Sequence, residues 1–175
     1  ECTRCDLGKV STYGQMVEGQ SSCLNCMAGY YSNDDNATCV GCPHGKYSER
    51  NLQTSIESCT NCTHGRYSSA VSVSSALGCI ACSAGKYSNE EGMTKEKACK
   101  ECDEGHHQDA AGNESCVKCS VGQYMNDKGA VNCLDCNPGD FQNVAGAESC
   151  VKCPRNTFTN VSGLSACYSC GRGTK

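Results

Sequence analysis

The chain has 175 residues, of which 20 are cysteine, none tryptophan and two phenylalanine, and Leu, Ile, Val and Phe together occupy only 21 positions. That is too little apolar surface to build a conventional core or to wall off a water-excluded pocket, so the chain must be held together by covalent bonds or metal, and a compact enzyme is not expected. The 15 basic and 19 acidic side chains give a net charge of −4 with no long block of one sign, which argues against a nucleic-acid partner.

No apolar run approaches the roughly 18 residues needed to span a bilayer. The start at Glu1, without a charged-then-apolar leader, reads as that of a mature segment or a fragment. All the cysteines fall into ten C-x-x-C pairs: Cys2 and Cys5, Cys23 and Cys26, Cys39 and Cys42, Cys59 and Cys62, Cys79 and Cys82, Cys99 and Cys102, Cys116 and Cys119, Cys133 and Cys136, Cys150 and Cys153, and Cys167 and Cys170. The pairs recur at 16 to 21 residues in the first part of the chain, with a run of 20, and then at a steady 17. Such a series is an array of short repeats. The expected division is 1–101 for the irregular and 20-residue repeats and 102–175 for the 17-residue repeats, in one continuous rod.

Taken along the chain, each repeat opens with a turn. Three residues after the second cysteine stand Gly8, Gly29, Gly45, Gly65, Gly85, Gly105, Gly122, Gly139 and Gly173, with Asn156 the one exception. Glycine and asparagine tolerate positive φ best, which predicts a left-handed residue at this place. Two residues further come Val10, Tyr31, Tyr47, Tyr67, Tyr87, His107, Tyr124, Phe141 and Phe158. A flat side chain at that spot is expected to cover the neighbouring disulfide and give each repeat a miniature core. A second glycine stands four residues before the later pairs, at Gly112, Gly129, Gly146 and Gly163, where the 20-residue repeats have Ser55, Ser75 and Lys95. The predicted elements are short strands joined by irregular loops, with little helix. The fold class expected is a small disulfide-rich, elongated tandem array of ten short repeats.

Four-thiolate zinc sites would also use such C-x-x-C pairs. The disulfide reading is favoured by the cysteine content, by the absence of a basic surface and by four N-glycosylation sequons, at Asn36, Asn61, Asn113 and Asn160. A redox-active C-x-x-C needs a thioredoxin-like strand and helix alternation that the flanking residues lack. If every gap is equivalent, the simplest pairing joins the second cysteine of one pair to the first of the next, from Cys5–Cys23 through Cys153–Cys167; a first-to-first, second-to-second scheme remains the alternative. Each loop so closed contributes roughly 3 kcal/mol in the chain-entropy model. The favoured scheme leaves Cys2 and Cys170 over, which leads us to expect that the repeats continue beyond this segment.

The segments Cys42-Pro-His-Gly-Lys-Tyr-Ser, Cys82-Ser-Ala-Gly-Lys-Tyr-Ser and Cys153-Pro-Arg-Asn-Thr-Phe-Thr, each closed by a further C-x-x-C, resemble the ephrin-receptor-like cysteine-rich repeat. They are also similar to the first submodule of tumour necrosis factor receptor cysteine-rich domains. The resemblance implies an extracellular array in which one disulfide closes each small loop. It departs from the receptor pattern in lacking the larger alternating submodules with which receptors grip ligands.

Other candidate sites have plainer readings. Asn33-Asp34-Asp35-Asn36 lacks the spaced acidic ladder of a calcium loop and reads as a surface turn. His107 occupies the aromatic position of its repeat, so packing accounts for it better than metal binding beside His106. Ser68 to Ser75 reads as a solvated loop. No catalytic, metal or cofactor residues are expected. The function expected is that of an extracellular structural protein, a glycosylated rod in a filament, stalk or surface coat whose partners are copies of itself or other coat proteins, with no direct membrane insertion. The alternative is a ligand-binding receptor ectodomain.

Overall fold

The computed structural model describes residues 5–11, 23–32 and 38–171. Cys2, Gly173, Asn36 and the Asn33–Asn36 turn lie outside the described residues. Among the described residues the chain forms nine two-stranded antiparallel hairpins. They are Lys9–Ser11 with Cys23–Asn25, Tyr30–Ser32 with Cys39–Gly41, Lys46–Tyr47 with Thr60–Asn61, Arg66–Tyr67 with Ile80–Ala81, and Lys86–Tyr87 with Lys100–Glu101. His106–His107 with Val117–Lys118, Gln123–Tyr124 with Leu134–Asp135, Asp140–Phe141 with Val151–Lys152, and Thr157–Phe158 with Tyr168–Ser169 complete the series.

Each hairpin is closed by one disulfide, and the bonds join second to first cysteine: Cys5–Cys23, Cys26–Cys39, Cys42–Cys59, Cys62–Cys79, Cys82–Cys99, Cys102–Cys116, Cys119–Cys133, Cys136–Cys150 and Cys153–Cys167. Their Cα–Cα distances, such as 5.6 Å for Cys119–Cys133, lie in the usual range for the bond. Each module below is named for its leading cysteine. By compactness the chain divides into two units, Glu1–Ala81 with Glu90–Ala98, and Cys82–Asn89 with Cys99–Lys175.

The turn that opens each module has its physical basis in one residue. The amide of the first strand residue donates to the carbonyl three positions back, as in Gln123 N–H to Ser120 O at 3.0 Å. The residue before the strand takes positive φ, from Gly8 at 80° to Gly139 at 90°, and Asn156 does so at 66°. That is the third residue of a type II turn, which excludes most side chains. The second cysteine of the next pair then donates its amide to this residue's carbonyl, as Cys136 N–H does to Gly122 O at 2.9 Å. The turn, the disulfide and this bond together fix each hairpin.

Modules within a unit are joined by main chain. Gly122 N–H donates to Gln142 O at 2.7 Å, Met125 N–H to Ala147 O at 3.1 Å and Gly146 N–H to Cys119 O at 2.8 Å, which ties the Cys119 module to the Cys136 module. The same three bonds join the Cys42 module to the Cys62 module, through Gly45 N–H to Ser68 O, Ser48 N–H to Val73 O and Ser72 N–H to Cys42 O. The stacking reaches further than the adjacent module. A Cβ built on Gly122 would run into the carbonyl of Gly163, two modules on, and one on Gly105 would meet Gly146 O in the same way. The turn glycines Gly8, Gly29, Gly45, Gly85, Gly105 and Gly122 are each pressed in this way by a loop from the next module but one, whereas Gly139 is not.

The core also differs from expectation. The aromatics five residues after the second cysteine are half-buried, and Phe158 is exposed. What is buried is the cystine itself, with Cys26, Cys42, Cys62, Cys82, Cys102, Cys119 and Cys136 wholly covered, and the residue after the aromatic: Ser32, Ser48, Ser68, Ser88, Gln108, Met125, Gln142 and Thr159. These polar side chains find partners inside. Gln108 Nε2 donates to Ser115 O at 2.7 Å and Gln142 Nε2 to Ser149 O at 2.7 Å, while Ser68 Oγ reaches Ala70 O at 3.5 Å. Ser68, read from the sequence as part of a solvated loop, is thus a core residue of its module.

The difference between 20 and 17 residues resides in a single 3₁₀ turn placed just before the first cysteine, at Ile56–Ser58, Ala76–Gly78 and Glu96–Ala98. This shifts the equivalence drawn for the second glycine. The residues that donate to the preceding module's cysteine carbonyl are Leu52, Ser72 and Gly92 in the longer modules and Gly112, Gly129, Gly146 and Gly163 in the shorter ones. All seven have positive φ, including Leu52 at 62° and Ser72 at 58°. Ser55 and Ser75, aligned with the glycines by counting back from the cysteines, are extended residues that precede the 3₁₀ turns.

Candidate functional site

Seven of the nine described hairpins present two side-chain pairs. On one, the aromatic position stands opposite the residue that follows the first cysteine. In the four 17-residue modules these pairs are His107 with Val117, Tyr124 with Leu134, Phe141 with Val151 and Phe158 with Tyr168. Val117, Leu134, Val151 and Tyr168 keep 48–55% of their surface exposed. The Phe158 and Tyr168 rings lie 6.2 Å apart and are tilted by 51°. Cross-strand pairs of this kind stabilise a hairpin, and here they also leave the partner side chains Val117, Leu134, Val151 and Tyr168 exposed on successive modules.

In these four modules the other pair is polar. Lys152 Nζ lies 2.9 Å from Asp140 Oδ1 across one hairpin, and Gln123 Nε2 donates to Asp135 Oδ1 at 2.9 Å across another. Between modules, Lys128 Nζ contacts Asp103 Oδ1 at 2.9 Å and Glu104 Oε2 at 3.8 Å. The hydrogen bond from Lys128 holds the Asp103 carboxyl below its ordinary range, and the same bond raises the Lys128 ammonium. His106 and His107 do not converge on a metal: their Nδ1 atoms face Glu104 O at 3.0 Å and Val131 O at 3.1 Å. Among the described residues no group of three or more potential ligands could hold a metal ion.

Shallow cavities among the described residues of the first unit include two near Tyr47. One of about 400 Å³ is lined by Tyr47, Ser48, Glu49, Arg50, Gln53, Ser58 and Thr60. The other, about 270 Å³, is lined by Tyr47, Thr63, Arg66, Ala76, Leu77 and Cys79.

The sequons fall at three different places. Asn61 is on a strand opposite Lys46, Asn113 follows the left-handed Gly112, and Asn160 is exposed just beyond its strand. Cys170 is exposed and free. The position that sequence reasoning missed is the buried one six residues after the second cysteine. Its signal was a periodic Ser, Gln, Met or Thr, which shares a register and no common hydrophobicity.

With cystine pairing, turn and stacking in place, comparison with known families is decisive. The family described as tyrosine-protein kinase ephrin type A/B receptor-like matches residues 29–76, 93–136 and 122–170. The chain belongs to this family. No curated protein matches it. As an ephrin-receptor-like array, the chain is a disulfide-rich repeat module, and among its described residues no helix is long and apolar enough to cross a membrane. The family's repeat accounts for the cysteine, glycine and aromatic register in both units.

Proposed function

We propose that this ephrin-receptor-like array is an extracellular structural protein, a disulfide-crosslinked, glycosylated rod that serves as a spacer or building block of a filament, stalk or surface coat and performs no catalysis. The observation that supports this most is the sameness of the junctions: within a unit, module after module is joined by main-chain bonds at equivalent positions. A junction made of main chain transmits load whatever the outward side chains are, and each disulfide keeps its loop from paying out when the chain is pulled. Its partners are copies of itself or other coat proteins. Solution scattering tests the shape that this role requires. A globular chain of this length has a radius of gyration of about 16 Å. The array is expected to exceed that clearly, and a value at the globular figure would overturn the reading.

A second reading, a ligand-binding ectodomain, is favoured by the exposed side chains of Val117, Leu134 and Val151. A protein ligand seated there would lose affinity when Leu134→Lys and Val151→Lys are combined, with all disulfides retained. A structural rod without such a ligand would keep its shape in scattering.

A further inference from the structure

We propose that Asn160 is the N-glycan acceptor of the described chain, and that Asn61 and Asn113, which carry the same three-residue signal, stay bare in the folded protein. This rests on the extracellular reading above, because the modification belongs to the secretory route.

The three asparagines differ in what surrounds the amide. Asn61 sits on a strand with Lys46 across from it, and Gly92 of a later module lies over it: a Cβ at Gly92 would stand 3.2 Å from Asn61 Oδ1. Its sequon runs through Cys62, which is wholly buried and bonded to Cys79. A sugar on Nδ2 would have to displace the loop that ties the Cys62 and Cys82 modules through Gly92 N–H to Cys62 O. Asn113 occupies the junction itself. Its carbonyl accepts from Ser88 N–H at 3.2 Å, and its Nδ2, the atom a glycan would take, donates to Ala110 O at 3.2 Å. In the preceding module the same position holds the buried Met93.

Asn160 stands one residue after the buried Thr159, where the chain turns outward, and Asn160, Val161 and Ser162 are all exposed. This place is exposed and mostly polar in earlier modules as well, at Glu49, Ser69, Asn89, Asp109, Asn126 and Asn143. A branched sugar there projects from a loop without crossing any stacking bond.

The transfer uses a polyprenyl diphosphate-linked oligosaccharide as donor. The Asn160 Nδ2–C1 bond forms as the C1–O bond to diphosphate breaks, Nδ2 gives up one proton, and polyprenyl diphosphate leaves with it. The attachment precedes folding, so Asn61 and Asn113 can be modified on the nascent chain. Molecules so modified fail to stack and are removed before secretion.

The test is secretion of the full chain behind a cleavable leader from a eukaryotic host. Thiol alkylation without reduction comes first, followed by glycopeptide mass spectrometry after glycosidase release in heavy-oxygen water. The expected result is heavy-oxygen label on Asn160 and none on Asn61 or Asn113, with Cys5 to Cys167 protected from alkylation. Ser162→Ala should remove the glycan. Ala145→Ser, which completes a sequon at the equivalent Asn143, should add one without exposing thiols. Glycan on Asn61 or Asn113 in the disulfide-intact protein, or an unlabelled Asn160, overturns the proposal and leaves the extracellular reading standing. Alkylation of the paired cysteines would overturn that reading and this proposal together.

Discussion

Gly122 and Gly139 occupy the same place in adjacent modules, with φ of 82° and 90°, yet they answer to different constraints. Behind Gly122 stands the Gly163 carbonyl, whereas a Cβ on Gly139 would meet nothing within 4 Å. Gly139→Ala therefore bears only the conformational penalty, about 1 kcal/mol, and Gly122→Ala adds a collision with main chain that cannot turn aside, for about 2–4 kcal/mol in all. Amide hydrogen exchange checks this. Protection at Gly163 should fall by orders of magnitude in Gly122→Ala and should change little in Gly139→Ala. Asn156, the exception to the glycine rule, takes φ of 66°, which asparagine tolerates better than other side chains.

The Asp103–Lys128 contact is a second test at this scale. The hydrogen bond from Lys128 lowers the Asp103 pKa, so its contribution is present above the ordinary aspartate value and is lost as pH falls through the lowered one. The raised Lys128 pKa acts in the other direction: its contribution is present below the ordinary lysine value and is lost as pH rises through the raised one. Both side chains are well exposed, and the effect on stability is small. By NMR titration, Asp103 should titrate below the usual aspartate range, and Lys128→Ala should return it to that range.

At the scale of the hairpin, strands of two or three residues cannot stand alone, and the cystine replaces the apolar core they lack. Removing one bond by Cys119→Ser with Cys133→Ser opens a loop with a sequence separation of 14 and should cost about 3 kcal/mol. Because stacking extends to the module after next, the loss should not stay local. Exchange protection is expected to drop first in the adjacent Cys102 and Cys136 modules and then in the Cys153 module, whose Gly163 loop presses on Gly122. If protection fell only in the Cys119 module, stacking over two modules would contribute nothing to stability.

For the molecule as a whole, a chain whose junctions repeat can lose a whole period and keep its register. Deleting residues 120–136, one 17-residue period, puts Cys119 where Cys136 was and Asn137 after it. The shortened chain should be secreted with one disulfide fewer and no reactive thiol beyond those of the parent. Deleting 124–132 instead removes Tyr124, Met125 and Gly129, and with them the bonds from Met125 N–H to Ala147 O and from Gly129 N–H to Cys102 O that tie the loop to its neighbours. Secretion yield and thiol titration distinguish the two; equal outcomes would count against a serial architecture.

Much of this architecture was legible in the sequence because it is local. The left-handed turn depends on the φ that one residue can adopt, and a glycine or asparagine three residues past a cysteine announces it. The cystine partners followed from the equality of the gaps, since only one scheme treats every gap alike. Stacking is a different kind of property. That Ser68 and Gln142 are buried and Tyr67 and Phe141 only half so, that Leu52 and Ser72 carry the role of the later glycines, and that Asn61 and Asn160 share a signal but not a setting, all depend on main-chain groups brought over from modules up to 47 residues away, as Gly92 is from Gly45. Hydrophobicity and spacing register what a side chain is, whereas burial here is decided by where the next loop's carbonyl comes to rest, and only the tertiary structure places that carbonyl.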